Sequence, residues 1–343
     1  TVLPSNLPFQ VDESLRALAG KNWLSTSCAL VFTEYTKPQV EYFTDISKSA
    51  IKNLGVKIVH RPVNELQNTA GKVSDKEART ILSSWKEKYI SNIDPSLSED
   101  HLLCVAKLYA AEKKMLTEYK ANALGVEEFV PFLFKKIPMP NVTYAILKNE
   151  GITCTEEADI DCLLSELIFV AVNQEQVTMS NIYTAYLDEY EKHWNEEYTN
   201  EMERIDFEQC LRENCLVIAH FSTSGSLPFN MIEGNKYEIK ETLPAWPGQS
   251  MIYARPKKAP VMLGRIWSNC KRFDLFEGEI TDVRENENYG WYRCRWLIKL
   301  PDLWDFVNNA IHPHYAICHK KHSQALELLV QNLLGIQLKY FSK

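Results

Sequence analysis

Hydrophobic positions change their spacing along this chain, and the changes predict its elements. Residues 1–23 hold two prolines and no sustained period, which predicts a linker with one helical turn at most. Residues 28–33 form an unbroken apolar run, the pattern of a strand buried on both faces. A helix is expected over 37–54, stopped by Gly55, and a second strand over 56–60. Ser74 stands before Ala78, Ile81, Leu82 and Trp85 at helical spacing, predicting a capped helix over 74–89. The clearest helix runs over 98–120, where Leu102, Val105, Leu108, Ala111, Met115 and Tyr119 recur at three- and four-residue steps. A helix ending at Gly151, a strand over 152–154 and an apolar helix over 159–172 complete this half.

Past residue 175 the pattern turns to short alternating runs. Strands are expected over 177–186 and 215–221 around an acidic helical insert at 188–213. Further strands fall at 237–243, 261–267, 273–282 and 291–300, with closing helices near 302–310 and 323–334. The fold class is therefore α/β: a Rossmann-like parallel-sheet domain over 1–174, then a mixed or antiparallel β domain with terminal helices over 175–343. At 343 residues, 45% hydrophobic and 24% charged, the chain has the composition of a two-domain globular protein.

Charge and cysteine usage narrow the partners. A net charge of −7 provides no global attraction for nucleic acid. The longest apolar stretch, 162–172, is broken by Ser165 and Glu166 and falls short of a membrane span. No basic region followed by an apolar block marks a secretory signal, although the sequence opens on Thr1. Nine cysteines without a Cys-x-x-Cys pair fit reduced thiols and a cytoplasmic setting better than a disulfide scaffold.

Three segments carry candidate chemistry. Cys154-Thr-Glu-Glu-Ala-Asp-Ile-Asp161 lies between a short strand and an apolar helix, where α/β sheets bind ligands at their strand ends. Its carboxylates also suit plain helix capping, which is worth roughly 0.3–1 kcal/mol each. His220 ends a strand before a Ser/Thr/Gly loop, the pattern of either a polar substrate loop or an ordinary turn. His312-Pro-His314, with His319 and His322, places four of the eight histidines within eleven residues, which suits a divalent metal or a solvated segment equally. Phosphate-binding loops, the Gly-x-Ser-x-Gly elbow and His-Glu-x-x-His are all absent from the sequence.

Taken in order, these segments resemble the L-fucose isomerase-like sugar isomerases, relatives of the arabinose isomerases. The likeness rests on Leu54-Gly55-Val56 followed by Ile58-Val-His60, on the helix over 99–120, and on Gly151-Ile152 followed by Glu157-Ala158-Asp159. It rests also on His220-Phe-Ser-Thr223 and on Pro313-His-Tyr-Ala-Ile317. The resemblance covers most of the chain and corresponds to the second α/β domain and the C-terminal β-rich domain of that family. The stretch matching the family's first domain, which helps build the active site from a neighbouring subunit, is not in this sequence.

The resemblance implies an aldose–ketose isomerase that works through an enediol on an open-chain sugar. It implies Mn²⁺, or another divalent cation such as Mg²⁺, held by Glu157, His314 and the residue at the family's Asp position, which here is Asn181. Glu157 would also be the catalytic carboxylate and His220 a sugar contact. A homo-oligomer is implied, often a hexamer in the family, with a small-molecule sugar as partner and neither nucleic acid nor membrane. Asn181 cannot act as a base, so the same resemblance also admits a non-catalytic sugar-binding or assembly subunit.

Overall fold

The computed structural model describes residues 7–34, 37–127, 137–183, 212–219, 226–241, 248–285, 294–310 and 312–341. A parallel sheet is built from β1 (Cys28–Thr33), β2 (Lys57–Pro62), β4 (Ala123–Val126) and β5 (Thr153–Thr155), in the order β2-β1-β4-β5. Every residue of β1 and β4 is buried, as their apolar runs require when helices cover both faces. Those helices are α1 (Leu7–Thr26), α2 (Lys37–Asn53), α3 (Val63–Ala70), α4 (Asp75–Lys88), α5 (Glu99–Tyr119), α6 (Asn141–Asn149) and α7 (Ile160–Asn173). Ser74 and Ser98 cap α4 and α5 by accepting the backbone N–H of Glu77 and His101. Gly55 follows α2 with φ of 80°, and a side chain there would meet the Ser25 backbone at 2.9 Å.

The second half closes on itself. Strands β6 (Thr178–Tyr183), β7 (Cys215–Ala219), β10 (Pro260–Ile266), β11 (Arg272–Glu285), β12 (Cys294–Lys299) and β13 (His314–His319) run in the order β10-β13-β6-β7-β12-β11. All of these pairs are antiparallel, and β10 also pairs with β11, so the six strands form a closed barrel. β14 (Gln337–Phe341) adds in parallel to β11. A third sheet joins β3 (Ile90–Ile93) to β8 (Tyr237–Glu241) and β9 (Ser250–Tyr253), uniting strands distant in sequence. Helices α8 (Leu303–Asn309) and α9 (Ser323–Glu327) follow the barrel, and α9 widens into a π turn over Leu328–Leu333. The expected acidic insert falls almost entirely outside the described residues. No described helix is long and apolar enough to cross a membrane.

Helix α7 lies between the two architectures, and all fourteen of its residues are buried. Its Phe169 meets Phe273 of the barrel edge-to-face at 5.7 Å, and Leu163, Leu167 and Ile168 share one cluster with Val31 of the parallel sheet and Ala316 of the barrel.

Residues 7–26 correct the expected linker: they form the twenty-residue helix α1. Its buried face carries Glu13, Ala17, Gly20 and Leu24, while Val11, Leu15 and Leu18 are exposed, so the hydrophobic period is scrambled. Gly20 lets α1 approach α7, because a Cβ there would sit 2.9 Å from the Ala171 carbonyl oxygen. Glu13 is fully buried because both its oxygens are used, one by His322 Nδ1 at 2.7 Å and one by the Ala325 N–H at 2.9 Å.

Two more charged groups lie in the core. Glu166 of α7 meets Lys148 of α6 at 3.4 Å, both wholly buried. Glu112 of α5 is also wholly buried, and neither of its oxygens receives a hydrogen bond. Nearby Thr143 donates its proton to the Pro140 carbonyl instead. Burial pushes the Glu112 carboxyl up to about 8. The folded protein therefore keeps a proton that the unfolded chain has lost above about 4.5, and stability falls as pH rises from there towards 8. Glu112→Gln is expected to be more stable than the parent at pH 8 by roughly 2–4 kcal/mol, with the gain vanishing near pH 4. Urea denaturation across that range measures it; equal stabilities at pH 8 would show that Glu112 is ionised in the fold.

Candidate metal centre

Strand β5 ends at Thr155 and the chain turns sharply through Glu156, Glu157 and Ala158. Glu157 has φ of 57° and Ala158 φ of 48°, two left-handed residues in succession, neither a glycine. That conformation crowds Cβ against the following carbonyl and costs about 1–2 kcal/mol per residue. The turn sends the adjacent glutamates to different partners. Glu156 is buried and accepts from Asn141 Nδ2 at 3.1 Å, while Glu157 Oε2 lies 3.6 Å from His314 Nε2.

Asp159 then opens α7 by accepting the Cys162 N–H at 2.9 Å. The same carboxylate takes a two-pronged grip from Arg265 of β10, Nη1 to Oδ2 at 2.9 Å and Nη2 to Oδ1 at 3.0 Å. Arg265 is itself buried, and it also donates to the His314 carbonyl at 2.9 Å and lies 3.6 Å from Asp161. Burial on its own raises the Asp159 carboxyl. The Arg265 charge and the His314 hydrogen bond outweigh it and hold the group well below the usual carboxylate range.

An anionic Asp159 only accepts, so the 3.0 Å contact from His314 Nδ1 to Asp159 Oδ2 places a proton on Nδ1. Nε2 is the remaining ring nitrogen of His314 and lies on the side of Glu157. This is the carboxylate–histidine arrangement that orients metal-ligating imidazoles. Asn181 on β6 stands directly opposite His314 on β13, so the two side chains share one face of the barrel wall. The Asn181 Oδ1 atom is buried and has no hydrogen-bond partner among the described residues, and an acceptor in that state can be completed by a donor or a cation.

His312 borders the same group. Its Nδ1 accepts the His314 backbone N–H at 3.1 Å, and the two rings stand 5.0 Å apart at 65°. Desolvation and the Arg265 charge push its imidazole down to about 4, so it is neutral at pH 7. Asp159, His312 and His314 together form a group able to hold a metal ion, with donor atoms all within 4.8 Å of one another.

Of the residues expected from the sequence, Glu157, Asn181 and His314 come together, from the strand-end turn, β6 and β13 respectively. His220 lies outside the described residues. His319 closes the opposite end of β13 from His314, and His322 is engaged by Glu13, so the histidine run contributes only its first two members. Asp159 is the helix cap that the sequence suggests, and its second role towards His314 has no local signal. Arg265 lies outside the residues expected from the sequence, although an arginine inside the apolar run 261–266 is a sign of a buried acidic partner. No protein-family model matches the chain, and a search of curated proteins finds no similar sequence.

Removing the arginine isolates a buried carboxylate. Arg265→Ala is expected to lower stability by about 3–5 kcal/mol, and Arg265→Lys to lose less, since an ammonium keeps the charge without the fork. Urea denaturation at pH 7 reads both. A loss under about 1 kcal/mol in Arg265→Ala would place Asp159 in water.

Proposed function

We propose that this protein binds a divalent cation through Glu157, Asn181 and His314 and isomerises an open-chain aldose to its ketose. The observation that carries the reading is the Glu157 carboxylate 3.6 Å from the His314 imidazole, with Asn181, whose Oδ1 has no hydrogen-bond partner among the described residues, directly opposite His314 across β6 and β13. The resemblance of the ordered segments to sugar isomerases supplies the reaction class. One carboxylate oxygen, one amide oxygen and one imidazole nitrogen make a donor set that suits Mn²⁺, with Mg²⁺ also accepted by its oxygens. When bound, such an ion supplies polarisation of two neighbouring sugar oxygens and stabilises the negative charge that develops on them.

The chain's own groups do the rest. Glu157 takes the proton from C2 while the C2–H electron pair becomes the C1=C2 double bond and the aldehyde oxygen gains a proton. Returning the proton to C1, with loss of the O2 proton, gives the ketose. The strained turn holds Glu157 on the His314 side, away from Glu156, so the carboxylate is placed before substrate arrives. Arg265 and Asp159 keep His314 in one tautomer. Asn181 lacks the charge of a carboxylate, which lowers cation affinity and removes one acid–base group. That substitution favours a second reading, a sugar-binding subunit without turnover.

Proton exchange in deuterated water separates these readings. With Mn²⁺ and a panel containing L-fucose, L-arabinose and D-arabinose, the isomerase reading expects loss of the C2 proton by NMR, abolished by chelator and lowered about 10²-fold or more by Glu157→Gln. Silence without bound Mn²⁺ removes the isomerase reading and leaves a sugar-binding or structural role. Asn181→Asp is expected to tighten Mn²⁺ about tenfold, read by electron paramagnetic resonance titration; unchanged affinity would remove Asn181 from the ligand set.

A further inference from the structure

We infer that His312 binds the sugar and not the metal: its imidazole donates an Nε2–H hydrogen bond to an oxygen of the molecule held at Glu157, Asn181 and His314. The inference rests on the functional reading above and adds a ligand-binding residue to it. Proximity alone groups His312 with Asp159 and His314. The hydrogen atoms separate them.

His312 Nδ1 accepts the His314 backbone N–H at 3.1 Å, so its lone pair points at that amide. It lies 3.7 Å from Asp159 Oδ2, too far for a proton to be shared there. With Nδ1 accepting, the ring proton is on Nε2. Ligation through Nδ1 would need the lone pair already used by the amide. Ligation through Nε2 would move the proton to Nδ1 and set two N–H groups against each other. Neither fits the observed geometry.

His314 is the mirror case, with its Nδ1–H donating to Asp159, so that Nε2 is the nitrogen it has for a ligand. The two imidazoles, 5.0 Å apart, are therefore engaged through Nδ1 in opposite senses, one donating and one accepting. Their exposure fits the division: the His314 side chain is 7% exposed and that of His312 is 41% exposed. A polyhydroxylated ligand, whose oxygens accept as well as donate, suits an N–H donor next to His314.

Nitrogen-15 NMR of the imidazoles in metal-free protein tests the premise, and is expected to show His312 protonated on Nε2 and His314 on Nδ1. The same tautomer in both rings would overturn the proposal. His312→Ala and His312→Gln are then compared with wild type for Mn²⁺ and for two sugar-shaped probes that cannot enolise, L-fucitol and ribitol. His312→Ala is expected to leave the Mn²⁺ Kd within about twofold and to weaken the tighter alditol about tenfold. His312→Gln, whose amide N–H₂ reaches the place of Nε2, should restore most of that loss. A tenfold loss of Mn²⁺ affinity in both variants would make His312 a metal ligand and overturn the proposal, as would unchanged alditol affinity in His312→Ala. If wild type holds no Mn²⁺, the functional reading falls. Alditol binding measured without metal then still decides His312, and the absence of any alditol binding overturns its assignment.

Discussion

The ion pair between Asp159 and Arg265 is what permits this architecture. Helix α7 is buried along its whole length between a parallel sheet and a closed barrel, so its first turn cannot be capped by water. Asp159 caps it, which puts a carboxylate in the interior, and Arg265 of β10 neutralises that carboxylate from the barrel side. One interaction thus joins the end of the sheet to the barrel wall. It also reaches His314 twice, through the Asp159 oxygen on Nδ1 and through the Arg265 donor on the His314 carbonyl. The same two side chains thus close the helix end and fix the orientation of His314.

The elements that were legible in the sequence are those whose burial is one-sided or complete. β1 is apolar throughout; α4 and α5 carry a serine cap and an apolar stripe. Helix α1 was illegible because close packing against α7 demands Gly20 and a buried interaction demands Glu13, both on the face where a pattern reader looks for leucine. β13 and β14 are short, and their pairing with distant strands stabilises them more than any local preference does.

The candidate site was legible in part for a related reason. Glu157 and His314 stood in segments whose order resembled a family, and Asn181 followed from counting along a strand. The register that sets Asn181 against His314 needs the barrel to be closed first, and no local pattern encodes it. Arg265 and Asp159 are 106 residues apart, so each reads locally as something else, a strand residue and a helix cap. The tautomers of His312 and His314 lie further still from the sequence, since they depend on which neighbour donates and which accepts.

The Glu13 contact bears on the order in which the fold assembles. Its partners His322 and Ala325 lie more than 300 residues further along the chain. Joining segments so far apart carries a loop-closure cost that local contacts do not. Until His322 and Ala325 are in place, Glu13 is better solvated outside the core than within it. Docking of α1 onto α7 is therefore coupled to the segment around His322, and a single buried carboxylate acts as a clasp between distant parts of the chain.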